Sequence, residues 1–426
     1  MRRGSRHANA GTILIGSLSI VLVAAACGAA SPKRSSADSG TLLNAATAPP
    51  AGADTSQAAS SVMFGWREAL ADPRHSSSSN AVGPTSGRLA WRRSLGAPVV
   101  AGAVAGLDGT IYESANNGVL HALDPASGQD RWVFNPGGST DNNDDLSTSA
   151  AIAPDGTVLW PAPGGHLDAI SLQGRLEWSI ALRGFVLSPV VEAGHVYVTD
   201  SQGDLASLSV SPKGGTLRWQ LKLGKVSFGS AAVGDNGVVY ATVDNRLVAV
   251  KDSGTHAQTL WIFEPHSTIE VSPSVAPDGT IVLGTNDGFE YGLRSTGSVR
   301  WRYPLGHGIF SYSTPAVTAD GLSYFGDNNG DVDVVRAETG TVIGRYRAPS
   351  KSLSSNGVGV WTSPAIDRNH DVYFGTASGH IFGYRYDGKQ LFDHPTGAIV
   401  ASYPSIVGEG LLVIGSDDGS LYAFRN

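Results

Sequence analysis

The stretch Ala122-Leu123-Asp124-Pro125-Ala126-Ser127-Gly128-Gln129-Asp130-Arg131-Trp132 joins a strand end to an Asp-led turn, a glycine and, four residues on, a tryptophan. It recurs along the chain. Trp91, Trp132, Trp178, Trp219, Trp261 and Trp301 are separated by 41, 46, 41, 42 and 40 residues, and Gly87, Gly128, Gly174, Gly215 and Gly297 each stand four residues before one of them. Self-similarity at this period marks units that bury their faces only by stacking on one another. Units begin near Ala97, Thr148, Ser188, Gly229, Ser272, Ser313, Ser363 and Tyr403, at spacings of 51, 40, 41, 43, 41, 50 and 40. Within each, branched runs such as Val196-Tyr197-Val198 alternate with turn dipeptides such as Asp108-Gly109 and Asp278-Gly279, which supply the positive φ that tight hairpins need. Four short strands per unit predict an all-β fold, an eight-bladed β-propeller of four-stranded blades. The chain ends at Asn426 after three strands of the eighth unit, while Gly87-Arg88-Leu89-Ala90-Trp91 precedes the first. The ring is therefore expected to close through this N-terminal strand, which leaves no open sheet.

Composition removes other classes. With 54 glycines in 426 residues and 16% charged residues, the chain is not a coiled coil, and a single cysteine forbids a disulfide framework or a cysteine-based zinc site. A formal charge of −7 argues against a nucleic-acid partner, because phosphate contacts need clustered Lys and Arg.

Arg2, Arg3 and Arg6 precede an uncharged apolar stretch from Gly11 to Ala26, the layout of a secretory signal. It ends in Val23-Ala24-Ala25-Ala26-Cys27-Gly28, which resembles a bacterial lipobox and implies cleavage before Cys27 and its modification with diacylglycerol and palmitate. The plainer alternative is an Ala-x-Ala cleavage site beside a free cysteine. Residues 27–61 are rich in Ala, Ser, Thr and Pro and have no aromatic residue, a composition too poor in apolar surface to fold. The expected organisation is a signal peptide (1–26), a disordered tether (27–61), a lead-in segment (62–85) and the propeller (86–426), held at the extracytoplasmic face of a bacterial membrane.

The pattern Ala122-Leu123-Asp124-x-x-x-Gly128-x-x-x-Trp132 resembles the repeat of the PQQ-like propeller family, which includes BamB-like lipoproteins and quinoprotein dehydrogenases. Departures fall at Trp261, which lacks its glycine, and at Gly344 and Phe392, which stand where Trp is expected. Trp66-x-x-x-x-x-Asp72-Pro73-x-His75 resembles a lead-in found before some of these propellers, where it would pack across the ring. The resemblance implies a non-catalytic, monomeric scaffold that binds an envelope protein or peptide. It leaves two alternatives open: a quinoprotein oxidoreductase holding PQQ with calcium, and a propeller that senses carbohydrate or another ligand. No vicinal cysteine pair, Gly-x-Ser-x-Gly elbow or helical His-x-x-x-His pair is present, so no catalytic residue is assigned and no cofactor is expected under the first reading.

Both long spacings arise in loops that lead to the next blade, Pro136–Ser147 and Ala348–Val360, and topology puts them on one face. Asp141, Asp144 and Asp145 in the first insertion, with Asp200, Asp204, Asp244, Asp287, Asp327, Asp331, Asp417 and Asp418, predict that this face is acidic. Phe185, Phe228, Phe310, Tyr312, Trp361 and Tyr403 approach the inner strands there, as an aromatic rim for binding or as packing between blades. Trp361, outside the Trp repeat, is the foremost binding candidate of the six. Asp327-x-Asn329-x-Asp331-x-Asp333 alternates oxygen donors as calcium loops do, but Gly330 stands at the fourth place and no bidentate Glu follows, so a polar hairpin is expected.

Overall fold

A computed structural model describes residues 66–137, 148–305, 313–349 and 359–426. Cys27, Asp141, Asp144, Asp145, Phe310 and Tyr312 lie outside them. The described residues form eight four-stranded antiparallel sheets, seven of which run inner to outer in chain order. Blade 1 comprises Val104–Ala105, Ile111–Ala115, Val119–Leu123 and Asp130–Phe134. Blade 8 comprises Ser405–Gly408, Leu411–Ser416 and Ser420–Arg425, and its outer strand is Leu89–Ser94, paired from Leu89 with Phe424 to Ser94 with Ser420. The two chain ends thus share one sheet.

Second strands such as Ile111–Ala115 are buried throughout, whereas outer strands such as Asp130–Phe134 alternate half-buried with exposed residues. That gradient is what blades stacked around an axis require, since only the rim meets water on its free edge. The glycine and tryptophan of one copy serve different interfaces. A Cβ on Gly128 would lie 2.6 Å from the indole of Trp91, in the preceding blade, and φ there is +67°. Gly340 likewise underlies Trp301, and Gly87 underlies Phe392. Blade 6 therefore keeps its glycine although Gly344 replaces its own tryptophan. Indole Nε1 of Trp91, Trp132 and Trp178 donates to the next blade's backbone, on Pro125 O, Leu172 O and Ser211 O at 3.1, 2.8 and 2.9 Å. In blade 3, Trp219 donates instead to Asp252 Oδ1 at 3.0 Å, which takes over the contact where blade 4 lacks the glycine.

The lead-in segment crosses one end of the ring. Carbonyls of Trp66, Arg67, Pro73, Arg74, Ser76 and Ser77 accept from the amides of Ala105, Ile152, Val233, Val275, Val317 and Ile366, at 2.7 to 2.9 Å. Glu68 Oε2 does the same for Val191 at 2.7 Å. Each of these amides belongs to the second residue of an inner strand, so this segment satisfies seven of the eight blades. To touch so many in so few residues the backbone turns sharply: Leu70, Ala71, His75 and Ser77 all have positive φ, between 46° and 80°. Such conformations cost about 1–3 kcal/mol each and persist only where surrounding contacts over-determine them.

Burial drives two carboxyls well above their usual range, Glu68 against the pull of the Val191 amide and Glu113 against that of Ser114. A raised folded pKa means that the native state holds a proton that the unfolded chain has released, so stability falls as pH rises above about 4.5. Glu113→Gln should remove its share of that loss. The variant is expected to gain on the wild type by about 1.4 kcal/mol per pH unit until the native carboxyl ionises. Urea unfolding at pH 5 and pH 8 measures it.

Candidate functional site

The lead-in crosses one mouth of the ring; the loops leading from each blade to the next lie on the opposite face. Two positions before each inner strand stand Gly102, Ser149, Ser188, Ser230, Ser272, Thr314, Ser363 and Tyr403, small in all but the last. They lie at or near the unit starts read from the sequence, and four of their hydroxyls stitch blades together. Gly102 N donates to Ser149 Oγ, Ser149 N to Ser188 Oγ, Ser230 N to Ser272 Oγ and Ser272 N to Thr314 Oγ1, at 2.9 to 3.2 Å.

At the seam between blades 8 and 1, where Gly102 offers no hydroxyl, Ser402 Oγ donates to Ala101 O and Tyr403 packs beside Gly102. It is half-buried and fills the room left by Gly102, whose Cβ would come within 3.1 Å of it. Trp361 is half-buried too, with its Nε1 2.7 Å from where a Cβ on Gly359 would be. Phe185 is half-buried. Phe228 differs from all three: it is 55% exposed, on the loop from blade 3 to blade 4. Its loop is pinned on both sides. Asp244 accepts from Lys225 N at 3.1 Å and Val226 N at 3.2 Å, and Ser227 Oγ donates to Thr242 O at 2.6 Å. A Cβ on Gly229 would meet Thr242 Oγ1 at 2.5 Å, so the backbone after Phe228 is packed tightly as well. An aromatic ring held out by a rigid loop has little conformational entropy to lose on binding.

Among the described residues, the aspartates that predict an acidic face are largely engaged by backbone amides and basic side chains. Asp200 is buried and accepts from Gln202 N and Asp204 N, capping its own hairpin. Asp204 is buried beneath Arg183 and Lys222, at 3.7 and 4.0 Å. Around Asp204 the exposed charges are Arg183, 69% exposed, and Lys222, while the next loop on this face exposes Glu264 and Glu270. Elsewhere on this face Asp331 is held by Arg347 at 2.7 Å and Arg345 at 3.2 Å, and Asp418 by Arg92 at 2.8 Å. Hairpin caps need carboxylates whatever their effect on surface charge, and this fold spends its aspartates there.

The same kind of pairing engages the carboxylates of the Asp327–Asp333 hairpin. Asp327 accepts from Asn329 N and Asp331 N, Asp331 pairs with two arginines, and Asp333 pairs with Arg345. Burial lifts Asp327 to about 6, further from the ionised state that a calcium ligand needs. Among the described residues no three His, Cys, Asp or Glu side chains converge. These carboxylates do not fit a calcium-bound quinone.

A cleft of about 610 Å³ lies on the closed face, between blades 3 and 4 and the lead-in. Asp252 forms its floor, taking Arg218 Nη1 at 2.5 Å, Tyr197 OH at 2.7 Å and Trp219 Nε1 at 3.0 Å. Burial would raise this carboxyl, but the hydrogen bonds from Arg218 and Tyr197 prevail and hold it at about 2. Arg74 of the lead-in pairs with Asp235 at the rim.

Sequence comparison places these features among known proteins. A chain named outer membrane protein assembly factor BamB, from Moranella endobia, is 28% identical over 225 residues, 48% of this chain and 53% of that one. The chain spans about half the length of the curated relatives it matches. The crystal structure of BamB from Moraxella catarrhalis superposes with a TM-score of 0.60 at 15% identity, over 80% of this chain and 99% of that one. Quinohemoprotein alcohol dehydrogenase from Comamonas testosteroni gives 0.63 at 14% identity, over 86% and 81%, a likeness of fold. The pattern of one family, described as outer membrane protein assembly factor BamB, matches residues 75–143, 116–211 and 208–426, and with both the repeats and the closed ring in agreement the chain belongs to that family.

Proposed function

We propose that the protein is a non-catalytic scaffold of the bacterial cell envelope, anchored through a lipid on Cys27, that docks an envelope protein on the face carrying Phe228. The relatives' name supports an outer-membrane setting. The observation that carries the reading is Phe228 itself, exposed on a pinned loop while the rim's other described aromatics are half-buried. Buried aromatic anchors ringed by polar groups dominate binding energy at protein interfaces. The exposed ring of Phe228 favours a partner segment with an apolar tip. The quinoprotein reading finds little support in this chain, whose Asp327, Asp331 and Asp333 are already engaged by arginines and backbone amides.

A photo-crosslinking residue at position 228 is expected to trap one envelope protein in living cells, and the same residue at Leu107, exposed on the opposite face, is not. Phe228→Ala should weaken the isolated complex by roughly 30-fold, an anchor's worth. Equal trapping at both positions would overturn the docking face. Cys27→Ser should move the protein from membrane to soluble fractions, and membrane retention would count against the anchor. PQQ with calcium, titrated while absorbance is followed, should leave the spectrum that of free PQQ; saturable binding would favour the enzyme reading.

A further inference from the structure

Among the described residues twelve large apolar side chains are exposed, and eight of them lie at the closed-face end of the ring. The first and third strands of a blade run the same way, so the hairpin before each outer strand opens on the face that the lead-in crosses. Five of the eight occupy one register position. Leu89, Leu176, Leu217, Val299 and Val342 each stand two residues before the tryptophan place of an outer strand, paired with Phe424, Ile170, Leu208, Leu293 and Val335. They are 38% to 54% exposed. Equivalent positions of stacked blades fall at one height around the axis, so these five are coplanar. Leu172 and Tyr386 extend the ring in hairpins before outer strands, and Leu107 lies in the first hairpin of blade 1.

The hairpins before the outer strands also carry exposed cations: Arg175, Lys213, Arg294, Arg336 and Lys389, with Arg88 ahead of the closing strand. The carboxylates of these hairpins are taken, Asp124 by Arg131 at 3.1 Å, Glu338 by Arg300 at 3.2 Å, Asp252 by Arg218 and Asp387 by Arg385. Acids of the first hairpins lie nearer the axis. There Asp108, Asp235, Asp278 and Glu409 are paired with arginines, while Asp155, Glu192 and Asp320 are exposed. Glu177 is the exposed acid set among the apolar residues of the rim.

We propose that the closed face lies against the lipid surface of the membrane that anchors the chain, with this ring in the headgroup region and the Phe228 face turned away. A coplanar ring as wide as the propeller can be touched all at once only by something broad and flat, and a lipid surface is flat on that scale. Apolar side chains beside Lys and Arg suit the boundary between acyl chains and headgroups, where basic stems lie along apolar neighbours and their charges meet phosphate. The chain enters the described structure at Trp66 on this same face, 39 residues after Cys27. A chain of that length spans at most about 140 Å, which holds lipid at roughly millimolar effective concentration and lets a weak contact persist. The setting rests on the membrane anchoring proposed above, whereas the contact itself does not depend on what anchors the chain.

The chain from residue 27 onward contains every described residue. Made with Cys27→Ser behind a hexahistidine tag, it attaches to nickel-chelating lipid in vesicles of phosphatidylcholine and phosphatidylglycerol, whether or not Cys27 is modified in the cell. Leu217→Cys or Val342→Cys then provides the sole thiol for a polarity-sensitive fluorophore. Its emission should rise at least roughly twofold on attachment and be quenched by spin-labelled lipid, as for a group that enters the headgroup region. The same label on Phe228→Cys should show neither effect. Adding Leu176→Glu and Val299→Glu to Val342→Cys should cut the rise by roughly fivefold with an unchanged unfolding temperature, since both side chains are exposed. Equal quenching at positions 217 and 228, or none at 217 and 342, would overturn the proposal. Retention of Cys27→Ser on native membranes would count against the lipid on Cys27 and leave this result untouched.

Discussion

Trp66→Ala is expected to lower stability by about 3–5 kcal/mol, the range for deleting a fully buried large aromatic side chain. Trp66 is 1% exposed, and its indole belongs to the cluster that holds Ile406 of blade 8 and Ala365 of blade 7. Its carbonyl meanwhile accepts from Ala105 of blade 1. One residue therefore ties the lead-in to the blades on both sides of the seam where the ring closes. Loss of the indole should loosen the whole crossing segment, whose strained residues depend on their surroundings. Calorimetry should show a midpoint lower by roughly 6–15 °C. Trypsin offers a second reading, since Arg67 and Arg74 lie within the segment. Cleavage after them should be slow in the wild type and fast in the variant. Unchanged protection would mean that the carbonyl contacts hold the segment without its tryptophan.

Asp252→Ala should be the second costly change, at about 3–5 kcal/mol, because it leaves a buried arginine without its partner. Arg218, Tyr197 and Trp219 would lose a common acceptor, as would Gly254 N at 2.7 Å. Asp252→Asn keeps an acceptor oxygen and should cost less, about 1–2 kcal/mol. The depressed pKa gives the sign of the pH effect. Stability from the carboxylate is fully present above about 3.8 and is lost as pH falls toward 2. The gap between wild type and Asp252→Asn should therefore narrow below pH 4, as denaturation curves at pH 3 and pH 6 would show. His75 of the lead-in acts in the range just above. Burial holds it neutral with a pKa of about 4, so its contribution is present above 6.5 and fades as pH falls toward 4.

The repeat was legible because its most constrained positions are rare residue types at a fixed period. Trp91 through Trp301 and the glycines before them could be counted, and the missing outer strand of the last blade pointed to Gly87–Trp91 as its replacement. Which neighbour each glycine serves was not legible. Gly128 precedes Trp132 in sequence but makes room for Trp91, and only the stacking of adjacent blades creates that contact. The rim aromatics could not be ranked for a similar reason. Trp361 and Tyr403 stand out in sequence, yet Gly359 and Gly102 give them places to pack, while Phe228 has none. Aspartates could be counted, but which of them cap hairpins and which meet arginines was not legible, since partners such as Arg345 and Arg347 come from a different strand than Asp331.

By itself the sequence determined the number of blades, their strands and the closing strand, because turn glycines, branched runs and indoles are local demands that one chain segment states on its own. The tertiary structure alone decided which mouth is crossed and which aromatic is presented. Those outcomes depend on groups hundreds of residues apart, such as Arg74 meeting Asp235 or Trp66 meeting Ile406, whose energies exist only once the ring has brought them together.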